Sequence, residues 1–450
     1  MATSQSHTPS TAVVSGVRFS EALAFWLKLG FISFGGPAGQ IAIMHQELVE
    51  HRRWISEHRF LHALNYCMLL PGPEAQQLVT YIGWLLHGTV GGIIAGALFV
   101  LPSLFILIAL SWVYLKFGQV PAVAGVLYGI KPAVVAIVVF AAYRIGSRAL
   151  KNSLLWALAA AAFVAIFVFN VPFPYIVLGA AVLGCIGGRL APEKFRVGGH
   201  KAEDKDFGPA LIDDHTPLPA HSQFAWSRLI RFAAIGLLIW VSVLGILAML
   251  YGWQGTFTQM GWFFTKAALL TFGGAYAVLP YVYQGAVEHH QWLSAAQMID
   301  GLALGETTPG PLIMVVAFVG FLGGWAKELF GPDLLLVAGT VGATVATFFT
   351  FLPSFLFILI GGPLVEATHG DLKFTAPLTA ITASVVGVVL NLAVFFAYHV
   401  LWPQGFRGRF EWLAALVGAA ALIALFRFKV GIIPLILACG AIGLASASVH

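Results

Sequence analysis

The sequence predicts an all-α polytopic membrane protein built from two homologous repeats, and three observations carry that reading. Hydrophobic residues make up 59% of the 450 positions and charged residues only 10%, against roughly 25% charged in ordinary soluble domains. Thirteen apolar runs follow one another with a single long polar interruption. A shift of 238 residues lays the early part of the chain over the later part and carries Pro71, Gly72 and Pro73 onto Pro309, Gly310 and Pro311.

The chain opens on a polar tail, residues 1–18, whose first 16 positions have neither a basic n-region nor an apolar h-region and so do not read as a cleaved signal peptide. The first repeat, 19–190, holds apolar runs at 19–44, 60–86, 88–116, 120–145, 154–170 and 172–190. Most are near the span of about 20 residues that crosses a bilayer. Residues 191–228 are rich in charge, Pro and Gly and read as a cytoplasmic linker. Run 229–251 is a connecting transmembrane helix. The second repeat, 252–450, holds runs at 257–284, 296–325, 333–362, 374–402, 410–426 and 430–447.

The repeat is more than shared hydrophobicity. The same shift pairs Lys28 with Lys266, Gln46 with Gln284, Glu50 with Glu288, His51 with His289 and Trp54 with Trp292. After a small insertion, LPSLF at 101–105 matches LPSFL at 352–356. Six elements per half with one helix between them place the second half upside down, a pattern of transporters. Arg144, Arg148, Lys151, Arg189, Lys194, Arg196, Lys201, Lys205, Arg228 and Arg231 then fall on one side, which the positive-inside rule makes cytoplasmic. Arg52, Arg53 and Arg59 disagree if run 19–44 crosses the bilayer. They agree if the FGG and PGP elements are re-entrant hairpins, and the sequence leaves both open.

The breaks are where chemistry is expected. Each proline removes a backbone donor and clashes with the preceding turn, and hydrocarbon offers no water to the freed carbonyls. Such a break is tolerated where protein shields it or where it lines a polar cavity. Pro71, Gly72 and Pro73, with Pro309, Gly310 and Pro311, leave the following helical segments with exposed N–H groups that favour anions. Gly35 with Gly36 and Gly273 with Gly274 let a ligand approach the backbone. The bland alternative is tight helix packing. Lys28 and Lys266 offer two positive charges to a dianion, or else snorkel to an interface. Ser33 and Thr271 add hydroxyl donors unless these bond their own helices. Glu74 and Glu306 flank the breaks and fit proton coupling, or a water-facing mouth. His51, Arg52 and Arg53 fit an anion entrance, or a solvated loop.

Other classes find no support in the residues. No phosphate-binding G-x-x-x-x-G-K-[ST] occurs, and Cys67, Cys185 and Cys439 have no metal-ligand or disulfide spacing. No metal, cofactor, nucleic-acid signature or enzyme constellation is visible. The net charge of +5 is accounted for by cytoplasmic loops. A non-transporting membrane protein has no need of duplicated breaks.

FGGP at 34–37, HRRWIS at 51–56, LLPGP at 69–73 and YIGWLLHGTVGG at 81–92 resemble the chromate ion transporter family in its long two-domain form. The resemblance covers nearly the whole chain outside the tail and the linker. It implies a multi-pass permease of the bacterial inner membrane that exports chromate and confers resistance, with sulfate as analogue and competitor. From the residues alone the reading stops at a secondary transporter of a small anion. The expected partners are that oxyanion and the lipid bilayer, and a homo-oligomer is left open. Ala275 stands where the first half has Pro37, and TTPGP where it has LLPGP, so the halves are not expected to be equivalent.

Overall fold

A computed structural model describes residues 16–34, 36–195, 207–213, 216, 221–272, 274–327, 330–367 and 375–447. Among them are sixteen α-helices and a single isolated β-bridge. Six helices are long and apolar enough to cross a membrane: Glu74–Phe117, Pro121–Ala149, Phe173–Leu190, Trp226–Tyr251, Pro332–Pro363 and Ala376–Leu401. Outward positions such as Phe105, Trp156, Leu237 and Leu416 are large, apolar and exposed, as lipid contact requires. The protein is a multi-pass membrane protein.

The first two apolar runs fold as re-entrant hairpins. Helix α1 (Phe19–Ile32) stops at the FGG break and α2 (Gly36–His45) continues into a π-helical turn, Gln46–His51. Ser56 caps α3 (Glu57–Cys67), which stops before the PGP break, and α4 (Glu74–Phe117) starts after it. A helix of 14 residues like α1 is only about 21 Å long, short of the hydrocarbon thickness. The ends confirm the return. The Val17 carbonyl lies 2.9 Å from the His87 imidazole, and the Trp54 carbonyl accepts from the Ile212 amide at 3.1 Å. The His221 imidazole lies 2.9 Å from the Trp84 carbonyl. The start of α1, the loop after the π-turn, the kink at His87 and Gly88 and the linker therefore share one end of the molecule.

From that linker end the second part of α4 crosses to the far end, where Lys116 lies 5.7 Å over the Trp325 ring. Helix α5 (Pro121–Ala149) returns, α6 (Ser153–Phe167) goes out and α7 (Phe173–Leu190) comes back, its end held by the Asn152 amide on the Lys194 carbonyl at 2.7 Å. Helix α8 (Trp226–Tyr251) then crosses once more.

The second half repeats this from the far end. Helices α9 (Thr256–Leu269), α10 (Ala275–Tyr283), a second π-turn at Gln284–His289, α11 (Ala295–Thr307) and α12 (Val315–Ala326) form the two hairpins. The capping serine recurs as Ser294, and positive φ recurs at Arg53 and Gln291. The remaining helices, α13 (Leu335–Ala367), α14 (Thr375–Leu401), α15 (Trp412–Phe426) and α16 (Ile432–Ala447), correspond to the second part of α4, α5, α6 and α7. Tyr251 packs on Phe257 and Phe330, which puts both hairpin entrances of this half beside the end of α8. The halves are thus inverted repeats with re-entrant breaks.

They are also interleaved. Helix α5 packs along α15 and α16 of the other half, and α14 packs along α6 and α7. Small residues allow the approach: a Cβ on Gly129 would lie 2.1 Å from the Cys439 carbonyl, and one on Gly387 would lie 2.0 Å from the Ala159 carbonyl.

The linker differs from a freely solvated spacer where it is described. Ser56 N–H donates to the Ile212 carbonyl at 3.0 Å, Leu211 N–H to Arg53 at 2.9 Å, and the Arg59 guanidinium to the Thr216 carbonyl at 3.0 Å. The reason lies in Phe207, Leu211 and Ile212, a short apolar segment inside the polar stretch that packs against the first hairpins.

Candidate functional site

The four breaks meet in one hub, and they meet crosswise. The Gly72 N–H donates to the Thr271 carbonyl at 2.8 Å, and the Gly310 N–H donates to the Ser33 carbonyl at 2.8 Å. Gly72 and Gly310 are repeat mates, as are Thr271 and Ser33, so each PGP break of one half is held by the FGG break of the other. The geometry demands glycine. Gly72 has φ +123° and Gly310 φ +101°, a region that side chains disfavour. A Cβ would lie 2.4 Å from the Ser354 Oγ at Gly72 and 2.8 Å from the Ser103 Cβ at Gly310. Both serines come from the paired LPS segments, again from the opposite half.

Around the hub, buried polar atoms lack partners. Hydroxyls in membrane helices usually bond the carbonyl four residues back, and Thr271, Thr265, Thr350 and Ser111 do so. Ser33, Ser103 and Ser354 are fully buried and their hydroxyls have no partner. An unmatched buried polar group costs about 1–3 kcal/mol, so three at one crossing are not a packing accident. No side chain caps the starts of α4 and α10 either, at Pro73 and Gly274.

Three glutamines complete the hub, and each has a fixed orientation. The Gln40 Nε2 donates to the carbonyls of Gly310 at 2.5 Å and Ser33 at 3.4 Å, and the Gln77 Nε2 donates to the Pro71 carbonyl at 2.8 Å. The Gln76 Nε2 lies 3.0 Å from the Thr80 hydroxyl, whose own proton is given to the Gln76 carbonyl at 2.9 Å. Carbonyls only accept, so in every case the nitrogen faces the protein. The three amide oxygens are left buried and unpartnered.

The expected residues divide. Ser33, Gly72, Thr271 and Gly310 are in the hub, with Pro71, Pro73, Pro309 and Pro311 beside them; the Thr271 hydroxyl is spent on Ala267. Gly36 and Gly274 carry positive φ at the starts of α2 and α10. Gly35 and Gly273 lie outside the described residues. Lys28 and Lys266 stand on exposed faces of α1 and α9, and the Lys266 ammonium lies 5.6 Å over the Trp262 ring. Glu306 is buried and accepts from the Tyr276 hydroxyl, while Glu74 is half-buried at the start of α4. Arg52 is occupied by Glu21 and Glu47 and by the rings of Phe25 and Trp54, and Arg53 by the Val49 carbonyl and Phe207. His51 is exposed, 3.8 Å from Glu47. These three brace the hairpin loop at the linker end. Their mates at the far end carry less charge. His290, the mate of Arg52, stacks on Trp292 at 4.4 Å, and burial, with His289 and Lys266 near, pulls it down to about 4.

Sequence reasoning missed Gln40, Gln76, Gln77, Ser103 and Ser354 as hub residues. The serines had a signal in the LPS match. It also missed Asp300, which is buried on α11, accepts from the Tyr114 hydroxyl at 2.9 Å and lies 3.6 Å from the Lys131 ammonium on α5.

Comparison with known proteins agrees with the duplicated layout. The chromate transporter family profile matches residues 20–185 and 258–444, one stretch in each half. A chromate transport protein of Pseudomonas aeruginosa is 30% identical over 98% of both chains. A chromate transport protein of Cupriavidus metallidurans is 31% identical over 83% of this chain and 81% of its own. An uncharacterized transporter of Methanocaldococcus jannaschii is 24% identical over 84% of each. No solved structure matches. With both repeats matched and a relative at this identity along nearly its full length, the chain belongs to the chromate transporter family.

Proposed function

We propose that this protein is a secondary transporter, not an enzyme, that exports chromate from the cytoplasm across a bacterial inner membrane and so confers chromate resistance. The single observation that carries the reading is the crossed pair of glycine bonds at the meeting point of two inverted repeats. Each glycine N–H is a donor that an oxyanion oxygen can take over from a backbone carbonyl. Breaking one cross bond frees one half's PGP break while the other bond stays closed, which is what alternating exposure to two sides requires. The basic loops at the linker end make that end cytoplasmic. Glu306 and Glu74, beside the breaks, are in place to couple transport to protons.

Sulfate or another small tetrahedral anion is the alternative substrate, since N–H donors alone do not tell them apart. Purified protein in liposomes decides. Chromate uptake above protein-free vesicles, with sulfate taken up more slowly at equal concentration, is the expected result. Sulfate uptake without chromate uptake would replace the substrate, and uptake of neither would remove the transport reading.

A further inference from the structure

We infer that the groove between the linker end of α5 and the turn joining α15 to α16 holds the headgroup of an anionic phospholipid of the cytoplasmic leaflet, its phosphate between Arg144 and Lys429. This goes beyond the transport reading and does not depend on which anion is carried. The groove has a volume of about 540 Å³, and Phe140, Tyr143, Arg144, Phe426 and Lys429 line it. Helix α5 has 29 residues, about 43 Å, which matches a bilayer with both headgroup layers. Arg144 precedes its last residue, Ala149, by about 7.5 Å, the depth at which headgroups give way to hydrocarbon. The Arg144 side chain is half-buried and those of Arg427 and Lys429 are exposed, and among the described residues none of the three has a hydrogen-bond or ion-pair partner. Neither 140–149 nor 425–432 contains an Asp or Glu. A phosphate supplies the missing partner, and a guanidinium can bind it through two N–H groups at once.

The inverted repeat provides an internal comparison. FAAYR at 140–144 matches FFAYH at 395–399, and FRFKV at 426–430 matches FVFNV at 167–171. The turn itself is kept: Lys429 has φ +52° and its mate Asn170 φ +50°, and Phe428 and Phe169 are both exposed. Charge is what changes. Arg144, Arg427 and Lys429 at the linker end correspond to His399, Val168 and Asn170 at the far end. One backbone thus carries three cations at the end that meets the anionic leaflet and replaces them at the other. The walls favour a lipid over a free oxyanion. Phe426 meets Phe140 and Tyr143 edge to face, with ring centroids 5.1 and 5.0 Å apart. Tyr143, Phe426 and, one turn deeper on the same face, Ile423 are exposed. Such a surface accepts glycerol and acyl chain, whereas a hydrated oxyanion gains nothing from it. A soluble anion is still the competing occupant, because Tyr276, which donates to Glu306 near the PGP break, packs against the same apolar cluster as Phe140.

Native mass spectrometry of the purified full chain in neutral detergent, with phosphatidylglycerol or phosphatidylcholine of identical acyl chains added, tests the site. Each cation near an anionic lipid is worth about fivefold in affinity. The first phosphatidylglycerol should therefore bind roughly 25-fold more tightly than phosphatidylcholine, from two such cations. Lys429→Asn, which installs the residue that the far-end turn carries at the same positive φ, should cut that preference about fivefold. Arg144→Gln added to it should abolish the preference, and Lys116→Gln at the far end should leave it intact. If the double variant does not fold, Lys429→Asn decides alone. Equal binding of the two lipids overturns the inference, as does a preference that survives the groove variants or is lost as readily in Lys116→Gln. Displacement of phosphatidylglycerol by millimolar chromate or inorganic phosphate also overturns it, since the groove is then a vestibule for soluble anions. Lipid is counted here without transport, so chromate uptake in liposomes stands or falls separately.

Discussion

The two hairpin pairs share a backbone but not a chemistry. Both have a π-turn, a capping serine and a PGP glycine at positive φ. In the first half the helices beside the breaks carry Gln40, Gln76 and Gln77, whereas the 238-residue shift gives Val278, Met314 and Val315 in the second. In the second half α11 carries Asp300 and Glu306, where the first has His62 and Met68. Duplication has preserved the fold of the crossing while the side chains around it diverged, to glutamines with Glu74 in the first half and to Asp300 with Glu306 in the second. Symmetry is therefore a guide to where the site is and a poor guide to what each half does there.

The largest effects should come from the shared feature. Gly72→Ala and Gly310→Ala each force a side chain into a disfavoured backbone region at about 1–3 kcal/mol, which, charged in full to the transport cycle, is a loss of roughly 5- to 150-fold in uptake rate. Because the contacts cross, Ser354→Gly should restore part of the loss in Gly72→Ala and none of it in Gly310→Ala. Equal rescue of both, at matched membrane abundance, would dissolve the crosswise pairing.

Intermediate effects should come from Asp300, whose counterpart in the first half is His62. Asp300→Asn and Lys131→Gln should each lower the thermal stability of the detergent-solubilised protein, and the double variant should lose less than the sum. A coupling of roughly 0.5–3 kcal/mol is expected for groups in contact. Strict additivity would mean that α11 and α5 are not held together by this pair.

The smallest effects should come from the residues whose symmetry was most conspicuous in sequence. Lys28→Gln and Lys266→Gln, on exposed faces, should change apparent affinity by less than about twofold, as surface substitutions do. A tenfold loss in either would return these charges to the anion path.

Much of this layout was legible before any coordinates. The PGP and FGG breaks, the repeat shift and the connecting helix are local sequence signals, and each marks a backbone event that glycine or proline makes necessary. The choice between crossing and re-entrant elements was not legible, because it depends on which ends meet, and His87 with Val17 is a contact 70 residues apart. The lysines stand away from the hub for a geometric reason. Lys28 precedes Ser33 by five positions, as Lys266 precedes Thr271, which turns it about 140° around the helix from the hub side. The glutamines were passed over because their mates are apolar, and matching halves finds only what both have kept.

The interleaving of the halves also has a consequence in time. Helices α6 and α7 end at Leu190 but pack on α14, which begins at Thr375. At about 5–20 residues per second, synthesis of the intervening chain takes roughly 10–40 s. For that interval the faces destined for α14 have only lipid for company. Their buried positions are Leu155, Ala159, Ala162 and Ile166 on α6 and Phe173, Ile176, Val177, Ala180 and Gly184 on α7, with no polar side chain among them. Helices α6 and α7 can wait in the bilayer without offering a polar side chain to the wrong partner, and the crossed bonds of the hub form only when the second half arrives.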